Sequence, residues 1–339
     1  MATATLGRNL RQPVTREQVV NDPLLAQTRL DYEAEFFPYG YPARFRSNSR
    51  LVIAAAELSW GTYNQQFACA PLDVRLMVSE SSSPALTEPP VARSQGHLLT
   101  IVGDAENYVC LDLRSGFSFG WVTPNTAAST AYFRQCFANV MVYPLIEIRH
   151  LLTIHAACVS FAGKGILLAG ESGAGKSSLA YACARRGWTY VSDDSSAFVR
   201  EAETPLVIGH PQKFRFRDSV GELFPEFRGL RSTIRAYGKP TIEIRTRELG
   251  HLRTADTSSI DCIVFLNRKG YRNGPPRLSR VSTEEARKEL IRSVWAVDMP
   301  EYGERLAAVE RLLAIPAYEM RYGGLDAAID LLETLARDA

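Results

Sequence analysis

The hydrophobic positions change their spacing once along this chain. Between Phe36 and about Trp121 they come in short runs, "ARFRSN", "LVIAAAELSW", "DVRLMVSE", "LLTIVGD", "NYVCLDL" and "FSFGWV", separated by Gly, Pro, Asn and Ser. Short apolar runs between turn residues predict a small sheet-rich unit. The stretch "SESSSPALTEPPVARSQG" has turn chemistry and no period, so it reads as a loop of that unit. Residues 1 to about 30 are polar, weakly patterned, and read as a loosely docked arm.

Near residue 130 the texture becomes helical. In "NTAASTAYFRQCFANVMVYPLIEIRHLL" the residues Tyr132, Phe133, Cys136, Phe137, Val140 and Met141 fall on one side. Then follow a strand ("TIHAACVSF"), a strand ("GILLAG"), a loop, a helix ("KSSLAYACARRG") and a strand ("TYVSDD"). That order predicts an α/β nucleotide-binding domain. The reading is therefore a small β-rich N-terminal domain with its polar arm, 1–130, followed by an α/β domain, 131–339. Further on, "IDCIVFLNR" reads as a buried strand. "STEEARKELIRSVWAVD" reads as a helix opened by a capping-box pattern, Ser282/Thr283 ahead of Glu285/Ala286, and "LDAAIDLLETLARD" as an amphipathic helix.

Composition narrows the class. With 339 residues, 46% hydrophobic and 22% charged, the chain is that of a soluble globular protein. A formal charge of +2 gives no general attraction to nucleic acid or to a membrane surface. The six cysteines form no C-x-x-C pair, which points to free thiols in a reducing compartment. The N-terminus carries no apolar signal region and no run reaches bilayer length, so a cytoplasmic protein is expected.

The chemistry concentrates in one loop. Gly170, Glu171, Ser172, Gly173, Ala174, Gly175, Lys176 and Ser177 satisfy G-x-x-x-x-G-K-[ST], with Ser178 next in the same binding segment. Glycines let backbone N–H groups turn inward around phosphates, and the helix starting at Lys176 adds its positive end. Lys176 is expected to reach the β/γ-phosphates and to stand exposed to solvent without nucleotide. Ser177 is expected to ligate Mg²⁺.

Asp193 and Asp194 end the next strand, so both are expected at the carboxyl edge of the sheet, facing the phosphates. One carboxylate suffices for Mg²⁺; adjacent like charges raise each other's pKa, which suits one of the two to proton transfer. His155 opens the strand before the loop. Downstream, "KFRFR" alternates, with Lys213, Arg215 and Arg217 on one face and Phe214 and Phe216 on the other. Its cations either meet an anionic substrate or form a solvated face, and Lys239 is a weaker candidate of the same kind.

Residues 153–199, with His155, the loop Gly170 to Ser177, "RRG" at 185–187 and Asp193-Asp194 in that order, resemble the catalytic domain of the HPr kinase/phosphorylase family. The resemblance implies a P-loop kinase domain of the HPr kinase / phosphoenolpyruvate-carboxykinase type. It implies Asp194 as the base for an acceptor serine, His155 as its neighbour, and Asp193 as a Mg²⁺ partner with Ser177. The segment "IGHPQKFRFRDSVGELFPEF" stands where the bifunctional enzymes carry a signature of their own. The chain thus resembles HPr-kinase-related enzymes that lie beside peptide-modification systems, some of which phosphorylate a peptide serine.

The expected function is a Mg²⁺-dependent kinase that uses ATP, or another nucleoside triphosphate, to phosphorylate a hydroxyl, first of all a serine, of a protein or peptide. A regulatory ATPase switch and a kinase of a small-molecule hydroxyl are the alternatives. A homo-oligomer is open to it, and nucleic-acid and membrane partners are not expected.

Overall fold

The computed structural model describes residues 22–233, 240–271, 274–294 and 302–338. Its first sheet has seven strands. In spatial order they are Tyr32–Phe36, Ala43–Ser47, Leu72–Val78, Phe117–Val122, Tyr108–Asp112, Leu98–Val102 and Val91–Gln95. Ala43–Ser47 and Leu72–Val78 pair in parallel. A parallel pair needs a crossover, and the segment between them forms the helix Arg50–Trp60. This corrects the sequence reading of "LVIAAAELSW" as one more run of a sheet-rich unit. Its buried residues, Val52, Ala55, Ala56 and Trp60, have helical spacing, and the Ser49 hydroxyl caps it by accepting from the Leu51 N–H.

The helix Asn139–His150 packs its face, Met141, Leu145, Ile146 and Ile148 included, into the core of this first sheet. That core therefore runs across residue 130. Trp60 and Tyr143 join inside it, with Trp60 Nε1 donating to the Tyr143 hydroxyl at 3.0 Å.

The loop-bearing sheet also has seven strands. Their order is Arg253–Thr254, Thr189–Ser192, Ala156–Phe161, Lys164–Ala169, Cys262–Leu266, Ala317–Arg321 and Arg277–Arg280. Its central strands are buried on both faces, and successive side chains enter opposite cores. Ile166 and Leu168 belong to one core with the helices Lys176–Arg185 and Leu325–Asp338. Leu167 and Ala169 belong to the opposite core with Thr283–Ser293 and Tyr302–Leu313. Continuous apolar strands are what two covered faces require. The mixed α/β class expected from the sequence is the class observed.

The strand returning from the loop helix does not pair with the loop strand. Ala156–Phe161 lies between them, antiparallel to both. It reaches the loop strand through a two-residue turn at Ala162 and Gly163, both at positive φ (51° and 82°). That combination gives a hairpin turn matched to strand twist.

The capping box on Thr283–Ser293 is present in full: Ser282 Oγ accepts from the Glu285 N–H while the Glu285 carboxylate accepts from the Ser282 N–H. Ser282→Ala removes one half of it and should cost about 1 kcal/mol, read as a small fall in the thermal midpoint.

Among the described residues no helix is long and apolar enough to cross a membrane. All six cysteines are free thiols, four of them buried.

Candidate functional site

Three neighbouring parallel strands, Lys164–Ala169, Cys262–Leu266 and Ala317–Arg321, end at one edge of the sheet. The loop rises from the first. Gly170, Gly173 and Gly175 all have positive φ (145°, 93° and 97°), which an L side chain adopts only under strain. At Gly175 a Cβ would also come within 2.5 Å of the Tyr322 hydroxyl. That hydroxyl donates to the Ala174 carbonyl at 3.1 Å and holds the loop from below.

Lys176 is only 6% exposed. This corrects the expectation of a solvent-exposed lysine. Its ammonium group turns back into the loop, donating to the Gly170 carbonyl at 2.7 Å and the Glu171 carbonyl at 3.3 Å. Burial lowers its pKa from the ordinary value, and the negative charge of Asp194 works against that shift. Ser177 Oγ donates to the Asp193 carbonyl at 3.4 Å. Glu171 is paired with Lys269 at 2.9 Å across the outside of the loop.

The two aspartates are separated by their surroundings. Asp193 is buried, and its Oδ2 accepts the backbone N–H of Arg215 at 2.5 Å. Loss of solvent raises its pKa to about 7 in spite of that bond. Asp194 turns to the open side. His155 Nδ1 lies 3.2 Å from its Oδ1 and 2.9 Å from its backbone carbonyl. Both partners are oxygens, so Nδ1 must carry the hydrogen. This hydrogen bond from His155, aided by Arg215 and Lys176, holds Asp194 below the usual carboxylate range. Burial of Asp193 and the His155 hydrogen bond to Asp194, more than their adjacency, split the two carboxylates, and the raised member is Asp193 and not the expected base Asp194.

The opposed pH behaviour gives a test on Asp193. A carboxyl whose folded pKa lies above its unfolded value binds more protons folded than unfolded. Its contribution is fully present below about pH 4 and is lost as pH rises to about 7. Without nucleotide, Asp193→Asn should therefore gain stability relative to the parent between pH 4 and pH 8. The gain should be on the order of 3 kcal/mol, measured by urea unfolding at both ends. A difference that does not vary with pH would refute the buried, proton-holding Asp193.

The strand Lys213–Phe216 closes the site. Phe214 and Phe216 are buried, with Phe214 stacked on Tyr190 at 3.8 Å and at 5.2 Å from Tyr181. The cations of the strand divide. Arg215 Nη1 lies 3.7 Å from Asp194 Oδ2, and Arg217 Nη2 donates to Ser172 Oγ at 2.7 Å. Lys213 pairs with Glu243 at 3.1 Å and does not line the cavity. Lys239 lies outside the described residues.

A cavity of about 600 Å³ gathers the rest: Lys176, Ser177, Ser178, His155, Asp194, Arg215 and Arg217 all line it. Asp193 does not.

Arg268 is the residue that sequence reading missed. It follows the strand Cys262–Leu266, lies over the Tyr322 ring at 5.2 Å, and lines the same cavity. The only sequence signal was a pair of cations, Arg268 and Lys269, directly after a buried strand.

The loop suits bound phosphate. A Cβ on Gly173 would meet nothing closer than Arg217 Nη1 at 3.9 Å, so the backbone stands open, with Lys176, Arg217 and Arg268 around it. For a cation, the donors are the Ser177 hydroxyl and the Asp193 carboxylate, both hard oxygens. Among the described residues no group of three His, Cys, Asp or Glu side chains could hold a metal alone. Mg²⁺ would therefore have to share its shell with phosphate oxygens and water, as it commonly does.

Residues 147–224 match the family described as HPr Serine kinase C-terminal domain. The chain is 34% identical over 96 residues to a proposed HPr kinase/phosphorylase 2 of Oceanobacillus iheyensis, covering 28% of this chain and 30% of that protein. It is 28% identical over 196 residues to an HPr kinase/phosphorylase of Lachnoclostridium phytofermentans, covering 57% of each. The chain thus spans from under a third to just over half the length of these curated relatives. The solved HPr(Ser) kinase/phosphatase from Coxiella burnetii aligns with 55% of this chain and 94% of its own at 18% identity, with a TM-score of 0.29. Over its matched residues the chain is HPr-kinase-like.

Proposed function

We propose that this chain is a Mg²⁺-ATP-dependent kinase that phosphorylates a hydroxyl, most specifically a serine, of a protein or peptide. One observation carries the reading: Asp194, fixed by His155 at 3.2 Å, faces the same cavity as Lys176 and Ser177. A catalytic carboxylate beside a phosphate loop suits a hydroxyl acceptor, whereas a hydrolytic switch positions water with Gln or Glu. The curated relatives are named for HPr, which supports a protein acceptor. Six free thiols support a reducing, cytoplasmic setting.

Each residue then has a task. The loop amides, Gly170 to Ser178, and Lys176 bind the donor's phosphates. Lys176 does so by exchanging the Gly170 and Glu171 carbonyls for phosphate oxygens. Ser177 and Asp193 would hold Mg²⁺, which when bound offsets charge on the transferring phosphoryl group. Asp194 receives the acceptor's hydroxyl proton on its carboxylate as the acceptor oxygen bonds to the γ-phosphorus and the bond from that phosphorus to the β–γ bridging oxygen breaks, releasing the nucleoside diphosphate. Its lowered pKa keeps it ionised at neutral pH, and a weak base suffices where bond formation to phosphorus lags behind cleavage. His155 orients Asp194, and Arg215 and Arg217 draw anionic groups to the mouth of the cavity.

Incubation of the full chain and a cell extract with [γ-³²P]ATP tests the proposal. Label should enter a macromolecule as an acid-stable, alkali-labile ester. Label found only in free phosphate would favour the ATPase switch, and label in a small molecule would favour a small-molecule kinase.

A further inference from the structure

We propose that His210 is a positioning residue for phosphoryl transfer, anchored by three tyrosines of the first sheet's core and holding the segment that presents Arg215 to both aspartates. The inference rests on the kinase reading and concerns what keeps Asp193 and Asp194 in place.

The segment "IGHPQKFRF", 208–216, leads from the strand Leu206–Ile208 into the strand Lys213–Phe216. It meets the aspartate strand twice. A Cβ on Gly209 would run into the Val191 carbonyl, so only a glycine lets the two backbones lie this close, two residues before Asp193. Further on, the Arg215 N–H donates to Asp193 Oδ2 and its guanidinium faces Asp194. His210 and Pro211 lie between these two meeting points, and the proline ring fixes its own φ. What fixes His210 therefore limits where Arg215 can go.

The imidazole is enclosed by three rings, with centroids at 4.6 Å for Tyr39, 6.0 Å for Tyr143 and 6.2 Å for Tyr63. All three belong to the core of the first sheet or pack on it. Tyr63 also binds His210 directly. Its hydroxyl lies 3.0 Å from His210 Nδ1 and donates to Gln212 Oε1 at 3.0 Å. A hydroxyl has one hydrogen, so with that hydrogen on Gln212, Nδ1 carries its own and donates to the Tyr63 oxygen.

Tyr39 is held at φ 53° and ψ 23°, left-handed values that a bulky side chain adopts only where its surroundings impose them. The Gly40 carbonyl pins that turn by accepting the N–H groups of Gln66 and Phe67, at 2.9 and 3.1 Å. Burial, with Arg215 and Lys213 nearby, lowers the His210 pKa to about 3. The imidazole thus stays neutral and adds no charge beside Arg215, which suits an anchor and excludes a general acid at neutral pH.

The test uses the full chain with saturating [γ-³²P]ATP and a cell extract. His210→Leu keeps much of the volume and removes the hydrogen bond. It should slow label entry into the macromolecular acceptor by about tenfold or more, while calorimetric affinity for ATP stays near that of the parent. His210→Asn, whose amide can donate from the place of Nδ1, should recover most of the rate. Tyr63→Phe removes one hydroxyl and leaves the ring; it should show the loss as well, and it decides the matter if His210→Leu does not fold. A residue serving packing alone would lower the thermal midpoint and leave the rate per folded molecule unchanged. Parent-like rates in folded Tyr63→Phe and His210→Leu, or a His210→Asn as slow as His210→Leu, overturn this inference alone where Asp194→Asn is slowed. If Asp194→Asn also transfers at the parent rate, the kinase mechanism falls and the positioning role with it.

Discussion

Asp194→Asn should slow single-turnover phosphoryl transfer by about 10²–10⁴-fold while calorimetric affinity for Mg²⁺-ATP stays near that of the parent. The amide keeps the size of the carboxylate and leaves an oxygen for His155 Nδ1, now 3.2 Å from Oδ1. It cannot accept a proton. It also removes the charge that Arg215 faces at 3.7 Å, a weak attraction across a half-exposed gap, so the surrounding geometry should persist. If Asp194 were a solvated turn residue, the variant would transfer phosphate at close to the parent rate. That result would sink the kinase mechanism and make the ATPase switch the better account.

Lys176→Ala should abolish turnover in practice, with a fall of about 10²–10³ or more from loss of one fixed charge at the reacting phosphates. The fold should survive. The ammonium group makes its bonds within its own loop, to Gly170 and Glu171, and joins no two elements of the core. Far-UV circular dichroism and the thermal midpoint should therefore stay near those of the parent. Parent-like turnover at saturating ATP would remove the loop assignment itself.

What was legible in the sequence was local. The loop, its strand and helix, and the alternation of "KFRFR" are written in neighbouring residues, and each took the expected form. "LVIAAAELSW" was harder. Its helical spacing was present, but the need for a helix comes from two strands becoming parallel neighbours, a fact of pairing and not of the run itself. Arg268 was invisible for a similar reason. A cation after a buried strand is ordinary until that strand is known to lie beside the loop strand. The sense of the pKa split was equally non-local. Asp193 is set by burial and an amide 22 residues away, and Asp194 by a histidine 39 residues away. The burial of Lys176 depended on which carbonyls its loop would leave facing inward.

The antiparallel strand Ala156–Phe161 has a consequence for how the chemistry is spaced. Inserted between the loop strand and the aspartate strand, it sets their carboxyl ends two interstrand steps apart, roughly 10 Å. Because it runs the other way, it begins where its neighbours finish, with Ala156 opposite Ala169. The residue just before it is therefore delivered to the middle of the reactive edge. That residue is His155. The hairpin works as a gauge block with a tool mounted on its end: one length of backbone both opens the gap for a phosphoryl group and installs the side chain that steadies Asp194. A one-residue slip in its register with Lys164–Ala169 would turn the alternation over and leave that gap without its histidine.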